Sequence, residues 1–267
     1  MEVAIMIEGQ DGLTWNKWQR IARTVEDAGF AGLYRSDHFT NPNGLYTDSL
    51  EAWTSLTWLA SHTERIEFGT LVSPISFREP VMLARQALMI DDLSGGRLQF
   101  GVGAGWQERE HGSFGYALLD TRQRLNRFAE ALDVMTRLLR SDQPVTWEGK
   151  FYQLHDALLL PRPQRRGGPP VVIGGNGPQR TLPLTARFAD EWNSVFVPAA
   201  KFAELNARLD ELIEQQGRAP GSVRRSLMTN IRFGRDDAGV QRIMLQWLDL
   251  DDTDGIEALA CAVLGPV

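Results

Sequence analysis

Apolar and polar positions along the chain follow two periods, one typical of buried strands and one typical of amphipathic helices. Short and nearly continuous apolar runs recur, and segments with helical spacing separate most of them. The predicted strands are 3–7, 32–35, 66–72, 98–102, 171–173, 192–197 and 226–233. Strands that are apolar throughout, rather than strictly alternating, are typical of a parallel sheet covered by helices.

Several predicted helices carry recognisable start and stop signals. Thr14 is placed to cap the first helix, and Gly29 follows its end. Asp48 and Glu51 have the spacing of a capping box, and Pro80 stands where a first-turn proline belongs. The remaining helices are predicted over 121–139, 182–189, 202–216 and 240–248.

The alternation of strands and helices is interrupted once, over residues 141–170. This segment is rich in proline and has no helical period, but 145–147 and 151–154 have the pattern of a small hairpin. We interpret it as an insertion that follows the fourth strand and its helix. A single domain over residues 1–267 is expected.

A chain of this length with this alternation fits either an open doubly wound sheet or a (β/α)8 barrel. The barrel is favoured, because about 250 residues in one domain is its typical size. The pattern shows no eighth strand and helix before Val267. The prediction is therefore a (β/α)8 TIM barrel whose C-terminal βα unit is truncated.

Composition narrows the class of protein. Apolar residues make up 43% of the chain and the formal net charge is −6, which gives no general attraction to nucleic acid or to an anionic membrane. The single cysteine, Cys261, excludes an internal disulfide and a multi-cysteine metal site. The N-terminus lacks the pattern of a signal peptide, and no apolar run reaches the length of a membrane span. We therefore expect a cytoplasmic protein with no metal, nucleic-acid or membrane partner.

Glycine turns follow two of the predicted strands. Gly101, Gly103 and Gly105 continue one strand into a polar segment that can start a helix. Such turns leave the main chain bare, so that a flat or anionic ligand can approach its N–H groups. Glycine is also used there simply for tight packing of strand and helix, and the spacing is not that of a dinucleotide fingerprint.

The second glycine turn is the better candidate for an anion site. It comprises Gly174, Gly175, Asn176 and Gly177 and is followed by Pro178, which can begin a helix. Arg180 and Thr181 would add a positive charge and a hydroxyl group. An ordinary surface turn is the alternative.

A third strand ends in Ser36, Asp37, His38 and Phe39, which suggests chemistry at the carboxyl end of a barrel. A histidine near its usual pKa of about 6.5 can exchange a proton at neutral pH. From the residues alone, Asp37 could equally cap a loop and His38 could simply pack. The other histidines, His62, His111 and His155, have no ligand spacing.

These motifs together resemble the luciferase-like oxidoreductase superfamily. The segments that carry the resemblance are SDHF at 36–39, FGTLVSP at 68–74, 77–115 with its GVGAGWQERE run, RFAEALDVM at 127–135, VVIGGNGPQRTL at 171–182 and ADEWN at 189–193. The SDHF variant and the GAGWxxRE spacing are most similar to the deazaflavin-dependent branch. The resemblance implies a barrel that binds coenzyme F420 or FMN.

The resemblance also assigns expected roles to residues. Asp37 and His38 would be the catalytic pair, with Asp37 also touching the cofactor. The cofactor would contact Ser73, Ala104, Gly105, Gly174, Gly175, Asn176, Gly177, Arg180 and Thr181. Family members often carry a non-proline cis peptide within 70–73, behind the cofactor ring. Phe39 and Trp106 would line the substrate pocket.

Two departures from the family pattern bear on these expectations. Deazaflavin sugar dehydrogenases carry a catalytic glutamate where this chain has Trp106, which argues against sugar-phosphate oxidation by the same pair. Pro183 falls inside a predicted helix, which it is expected to distort.

Three functions follow as expectations. The first is hydride transfer between F420 and a small organic substrate. The second is an FMN-dependent monooxygenase that uses reduced flavin and oxygen. The third is a barrel that binds a cofactor without turnover. Relatives often dimerise, so a homodimer is also expected.

Overall fold

A closed parallel barrel forms the body of the chain. The structure, a computed structural model, describes residues 1–230 and 241–265. The strands are β1 (Glu2–Ile7), β2 (Gly32–Arg35), β3 (Glu67–Thr70), β4 (Ser73–Pro74), β5 (Leu98–Gly103), β6 (Val145–Glu148), β7 (Gln153–Ala157), β8 (Val171–Gly174), β9 (Glu191–Val195), β10 (Arg224–Thr229) and β11 (Arg242–Trp247). The ring of eight runs β1-β2-β3-β5-β8-β9-β10-β11 and closes by pairing of β11 with β1. The predicted barrel is confirmed.

Helices cover the outside of the barrel. They are α1 (Trp15–Asp27), α2 (Ala52–His62), α3 (Pro80–Leu93), α4 (Glu108–Phe114), α5 (Thr121–Arg140), α6 (Thr181–Phe188), α7 (Ala199–Gln215) and α8 (Thr253–Leu264). No described helix is long and apolar enough to cross a bilayer.

Several helices begin directly after a residue whose side chain accepts a hydrogen bond from a free backbone N–H group of the first turn. The Thr14 hydroxyl accepts from the N–H of Lys17, as predicted, and Pro80 occupies the first turn of α3. The predicted start at Asp48 is wrong. Glu51 is the cap, and its carboxylate accepts from the N–H of Thr54 at 2.6 Å, so α2 begins after Glu51.

The prediction of a truncated last unit is also wrong. Residues 242–247, which were expected to be helical, form β11, and α8 follows. In β11, Arg242, Met244 and Gln246 point into the barrel and alternate with Ile243 and Leu245 on its outside. Because the inward positions include polar residues, the alternation was mistaken for an amphipathic helix. Val240, and residues 231–233 of the predicted seventh strand, lie outside the described residues.

The barrel interior is layered from a charged end to an open end. At the amino ends of the strands, Arg242 is 1% exposed and donates to Glu2, Glu67 and Glu191 and to the Tyr34 hydroxyl. An apolar layer of methionines lies above it. These layers fill the lower barrel, so that any cavity is confined to the carboxyl ends of the strands.

The predicted insertion is attached to α5 at two points. Its hairpin of β6 and β7 is confirmed, and the Glu130 carboxylate accepts from the N–H groups of Phe151 and Tyr152 at 2.9 and 2.8 Å. Arg162 donates to the carbonyls of Leu138 and Leu139, which lie in the last turn of α5. The segment therefore lies on the outside of the barrel.

Candidate functional site

The carboxyl ends of the barrel strands surround a cavity of about 600 Å³. Met6, Val195 and Met228 line its inner part, and Trp106 and Phe196 lie at its mouth, where Trp106 is 58% exposed. Cavities in barrel enzymes occur at this end because the loops after the strands supply the chemistry. Six of the predicted site residues line it, namely His38, Ala104, Gly105, Trp106, Gly174 and Gly175.

His38 is held by a buried carboxylate that the sequence analysis missed. Its Nδ1 lies 3.0 and 3.1 Å from the two oxygens of Glu110, and the Glu110 side chain is 1% exposed. A carboxylate has no hydrogen to donate, so it acts only as an acceptor. The proton between His38 and Glu110 therefore lies on Nδ1, and Nε2 is the nitrogen that is left for the cavity. The second Glu110 oxygen also accepts from the N–H of Phe39 at 3.0 Å.

The environment of His38 favours the protonated ring. Burial of the imidazole lowers its pKa, but the hydrogen bond to Glu110 and the charges of Glu110, Glu8 and Asp37 outweigh that effect, and the pKa of His38 is raised. The Trp106 ring meets the imidazole edge to face at a centroid distance of 5.7 Å. The arrangement therefore favours a proton on the imidazole at the cavity wall.

Asp37 lies beside the cavity but does not line it. Arg78 donates to both of its oxygens, at 2.6 and 3.0 Å, and the Ser73 hydroxyl donates at 2.6 Å. Arg78 also pairs with Glu51 at 2.6 Å. Asp37 and Ser73 are thus brought into contact, which fixes the end of β2 against β4.

The first glycine turn lies against the segment after β3. A Cβ on Gly101 would lie 1.8 Å from the Thr70 carbonyl oxygen, and one on Gly103 would lie 2.6 Å from the Val72 side chain. Gly101 is therefore required for strand packing, whereas Gly103 and Gly105 also line the cavity. The peptide between Leu71 and Val72 is cis, as the resemblance predicted.

The second glycine turn is ordered by its own side chains. Asn176 donates to the Val195 carbonyl and accepts from the Ser194 hydroxyl, so its amide is used within the protein. Gly177, Arg180 and Thr181 lie beyond the cavity lining, and Arg180 donates to Asn126 at 2.6 Å. Pro183 lies in the first turn of α6, where the N–H groups have no partner in the helix, so it is accommodated.

Phe39 faces an aromatic cluster rather than the cavity. Its ring stacks on Phe114 at 4.5 Å and contacts Phe77 and Tyr116 at 5.1 and 5.8 Å. Trp106, the other predicted pocket residue, does line the cavity.

The sequence analysis missed Glu110, Arg78 and Glu8. Gln107, Glu110 and His111 have helical spacing in the sequence, and the structure shows that all three are buried. A buried polar face on so short a helix indicates that its groups have partners across the site.

Replacement of Glu110 by glutamine tests its effect on His38. Glutamine keeps an acceptor for the N–H of Phe39 but removes the charge that raises the pKa of His38. If protonated His38 is the active form, activity is lost as pH rises through that pKa. The alkaline limb of the pH–rate profile is therefore expected to move to lower pH in E110Q.

The exposed neighbour on α4 provides the control, since E108Q should leave the profile unchanged. A profile for E110Q that overlays the wild type would show that Glu110 orients the loop without affecting the proton on His38.

A family model described as luciferase-like monooxygenase matches residues 2–259. The chain belongs to the luciferase-like monooxygenase family. Two of its relatives are oxidoreductases of different kinds. It is 36% identical over 166 residues to 4-hydroxyprotoasukamycin monooxygenase of Streptomyces nodosus subsp. asukaensis, a match that covers 62% of this chain and 43% of the relative. It is 28% identical over 238 residues to an F420-dependent glucose-6-phosphate dehydrogenase of Kineococcus radiotolerans, with 86% and 67% covered.

Solved structures show the same fold. An F420-dependent secondary alcohol dehydrogenase in complex with an F420-acetone adduct superposes with a TM-score of 0.77 at 21% identity, covering 85% of this chain and 68% of that one. A monooxygenase of Streptomyces bottropensis superposes with a TM-score of 0.75 at 22% identity, covering 88% and 73%. The chain matches only part of its relatives' length, which for the monooxygenase from Streptomyces nodosus is 43%.

Proposed function

We propose that the protein transfers a hydride between coenzyme F420 and a small organic substrate. The observation that carries this proposal is the His38–Glu110 pair at the wall of the cavity, because Glu110 accepts from Nδ1 and leaves Nε2 to exchange a proton with a substrate in the cavity. When bound, the deazaflavin would supply the carbon that gives or takes the hydride. His38 would give a proton to the substrate oxygen or nitrogen, or take one from it.

The cavity wall fits a flat ring on one side. Gly103, Gly105 and Gly174 leave backbone bare there, and a Cβ on Gly105 would lie 2.1 Å from the Ser76 hydroxyl oxygen. Leu71 and Val72 form the adjoining surface. We propose that the ring lies against these residues and Ala104.

The anionic tail of the cofactor would extend toward the second glycine turn. Gly175, Gly177 and the start of α6 can direct N–H groups at an anion, and Arg180 and Thr181 would add a charge and a hydroxyl. Arg180 is exposed and, among the described residues, its side chain hydrogen-bonds to Asn126 alone, so it can turn toward a phosphate. Asn176 and Asp37 would act by positioning, since the partners described above occupy their polar atoms.

An FMN-dependent monooxygenase is the second candidate, favoured by the 36% identity to a named monooxygenase. Both candidates need the same ring-binding wall. They differ in chemistry, because reduced FMN reacts with oxygen, whereas the deazaflavin, which has carbon in place of N5, does not form the flavin peroxide.

Turnover under controlled oxygen separates the two. Reduced F420 and a panel of aldehydes, ketones and enones are incubated with the protein without oxygen, and the visible absorbance of oxidised F420 is followed. We expect oxidation of F420 that depends on both protein and substrate. Substrate-dependent oxygen consumption with reduced FMN, and no oxidation of F420, would favour the monooxygenase. A barrel without turnover would bind a cofactor and show neither reaction.

A further inference from the structure

A second carboxylate, Glu8, faces the same cavity and is held in place by two amide groups. Gln246 Nε2 donates to its Oε1 at 2.7 Å, and Gln10 Nε2 donates to its Oε2 at 2.9 Å. Glu8 lies directly after β1 and lines the cavity with His38. The proposed mechanism does not use it.

The hydrogen bonds around Glu8 fix the direction of the Gln10 amide. The N–H of Gly9 donates to the Ser36 hydroxyl oxygen at 2.9 Å, and that hydroxyl donates to Gln10 Oε1 at 2.6 Å. Gln10 must therefore direct its NH₂ group toward Glu8. Both amides donate to Glu8, so the network holds both carboxylate oxygens as acceptors.

Among the described residues Glu8 forms no salt bridge, although its charge acts on the buried Arg35 and on His38. The salt bridges of residues 1–230 and 241–265 do not include it, and the described cavity lining contains neither lysine nor arginine. A fixed negative charge beside a largely apolar cavity attracts a cation more strongly than it would in water, because the dielectric constant there is lower.

An independent observation also points to a ligand that donates hydrogen bonds. Gln107 is 1% exposed, lines the cavity, and donates from Nε2 to the Thr40 carbonyl at 2.7 Å. Because a carbonyl only accepts, the amide cannot be reversed, and Oε1 is left without a hydrogen-bond partner among the described residues. Buried acceptors of this kind are normally satisfied.

Glu8 lies on the opposite side of the barrel from the ring-binding wall. In the ring order, β1 is four strands away from β8, which carries Gly174, so the two strands face each other across the cavity. If the cofactor ring lies against the glycines, the Glu8 side of the cavity is left for the substrate.

We propose that the substrate carries a protonated amine, which pairs with the Glu8 carboxylate. A protonated amine supplies a positive charge, which is complementary to the negative charge of Glu8. It also supplies several N–H donors for the acceptors at this side of the cavity. The proposal rests on the proposed function in assigning this half of the cavity to the substrate. It makes Glu8 a specificity-determining residue, and it predicts that anionic substrates are rejected.

Three small probes that differ in charge test the proposal without any cofactor. Benzylamine, benzyl alcohol and benzoate are titrated at neutral pH by ligand-observed NMR, with competition between them to show a shared site. We expect benzylamine to bind about ten-fold more tightly than benzyl alcohol, as one charged contact allows, and benzoate to bind most weakly.

Variants locate the preference at Glu8. E8Q is expected to bind benzylamine and benzyl alcohol about equally, as the loss of one charged contact predicts, whereas E8D should retain part of the preference and E108Q all of it. A thermal unfolding transition shows whether each variant is folded. If E8Q is unfolded, E8D and Q246L replace it, and both are expected to show a reduced preference for benzylamine. A wild type that binds benzoate as tightly as benzylamine would overturn the proposal. An undiminished preference in E8Q would also overturn it, as would an undiminished preference in E8D and Q246L if E8Q is unfolded.

The outcome is separable from that of the proposed function. Failure of F420 to bind leaves the probe result intact and would refute hydride transfer with this cofactor alone. Tight F420 binding with no preference among the probes would refute the role of Glu8 alone.

Discussion

Replacement of His38 by alanine is expected to lower turnover by about 10² to 10⁴, the usual contribution of a general acid or base. The His38 side chain lines the described cavity. Glu110 binds its Nδ1, so Nε2 is left to exchange a proton with a bound molecule. Cofactor binding should change much less, because the proposed ring-binding wall consists of glycine backbone and of Leu71, Val72 and Ala104. Turnover and cofactor affinity are measured on the same preparation.

The exposed histidine on the insertion hairpin is the matched control, since H155A should retain turnover. If H38A turned over at nearly the wild-type rate, His38 would be a packing residue and the proposed proton transfer would be excluded.

Replacement of Arg242 by methionine is expected to lower the free energy of unfolding by about 3–5 kcal/mol, the cost of leaving a buried charge without its partner. Glu191 is 2% exposed, and Arg242 is its nearest cation, at 3.4 Å. Burial already raises the pKa of Glu191, and Arg242 opposes that rise. Without Arg242 the pKa of Glu191 rises further, so the loss of stability should grow as pH rises and shrink as pH falls and Glu191 becomes protonated.

Urea unfolding of R242M at several pH values measures this effect. The double variant R242M/E191Q removes the buried charge as well, and it should recover much of the stability. Equal stability of R242M and the wild type at neutral pH would mean that the charged layer contributes nothing to the barrel.

The sequence predicts the barrel because most outward-facing residues of its strands are apolar. Val3 and Ile5 in β1, and Phe100 and Val102 in β5, are buried beneath helices. The same reasoning fails for β11. Its inward positions include Arg242 and Gln246, whose partners Glu2, Glu191 and Glu8 are brought close only when the barrel closes.

The candidate site could be predicted only in part, for a similar reason. Glycines at the ends of strands are visible in the sequence, because bare backbone is their specific property. The pairing of His38 with Glu110 joins positions 72 residues apart. It depends on how α4 lies across the mouth of the barrel, which local patterns do not determine. The occupied amide of Asn176 was unpredictable for the same reason.

Equilibrium titration of the protein with F420 and with FMN tests the central claim most directly. Fluorescence of each cofactor is followed as protein is added, at the same ionic strength. The account predicts that F420 binds, and that it binds more tightly than FMN. Tighter binding of FMN, or no binding of F420, would contradict it.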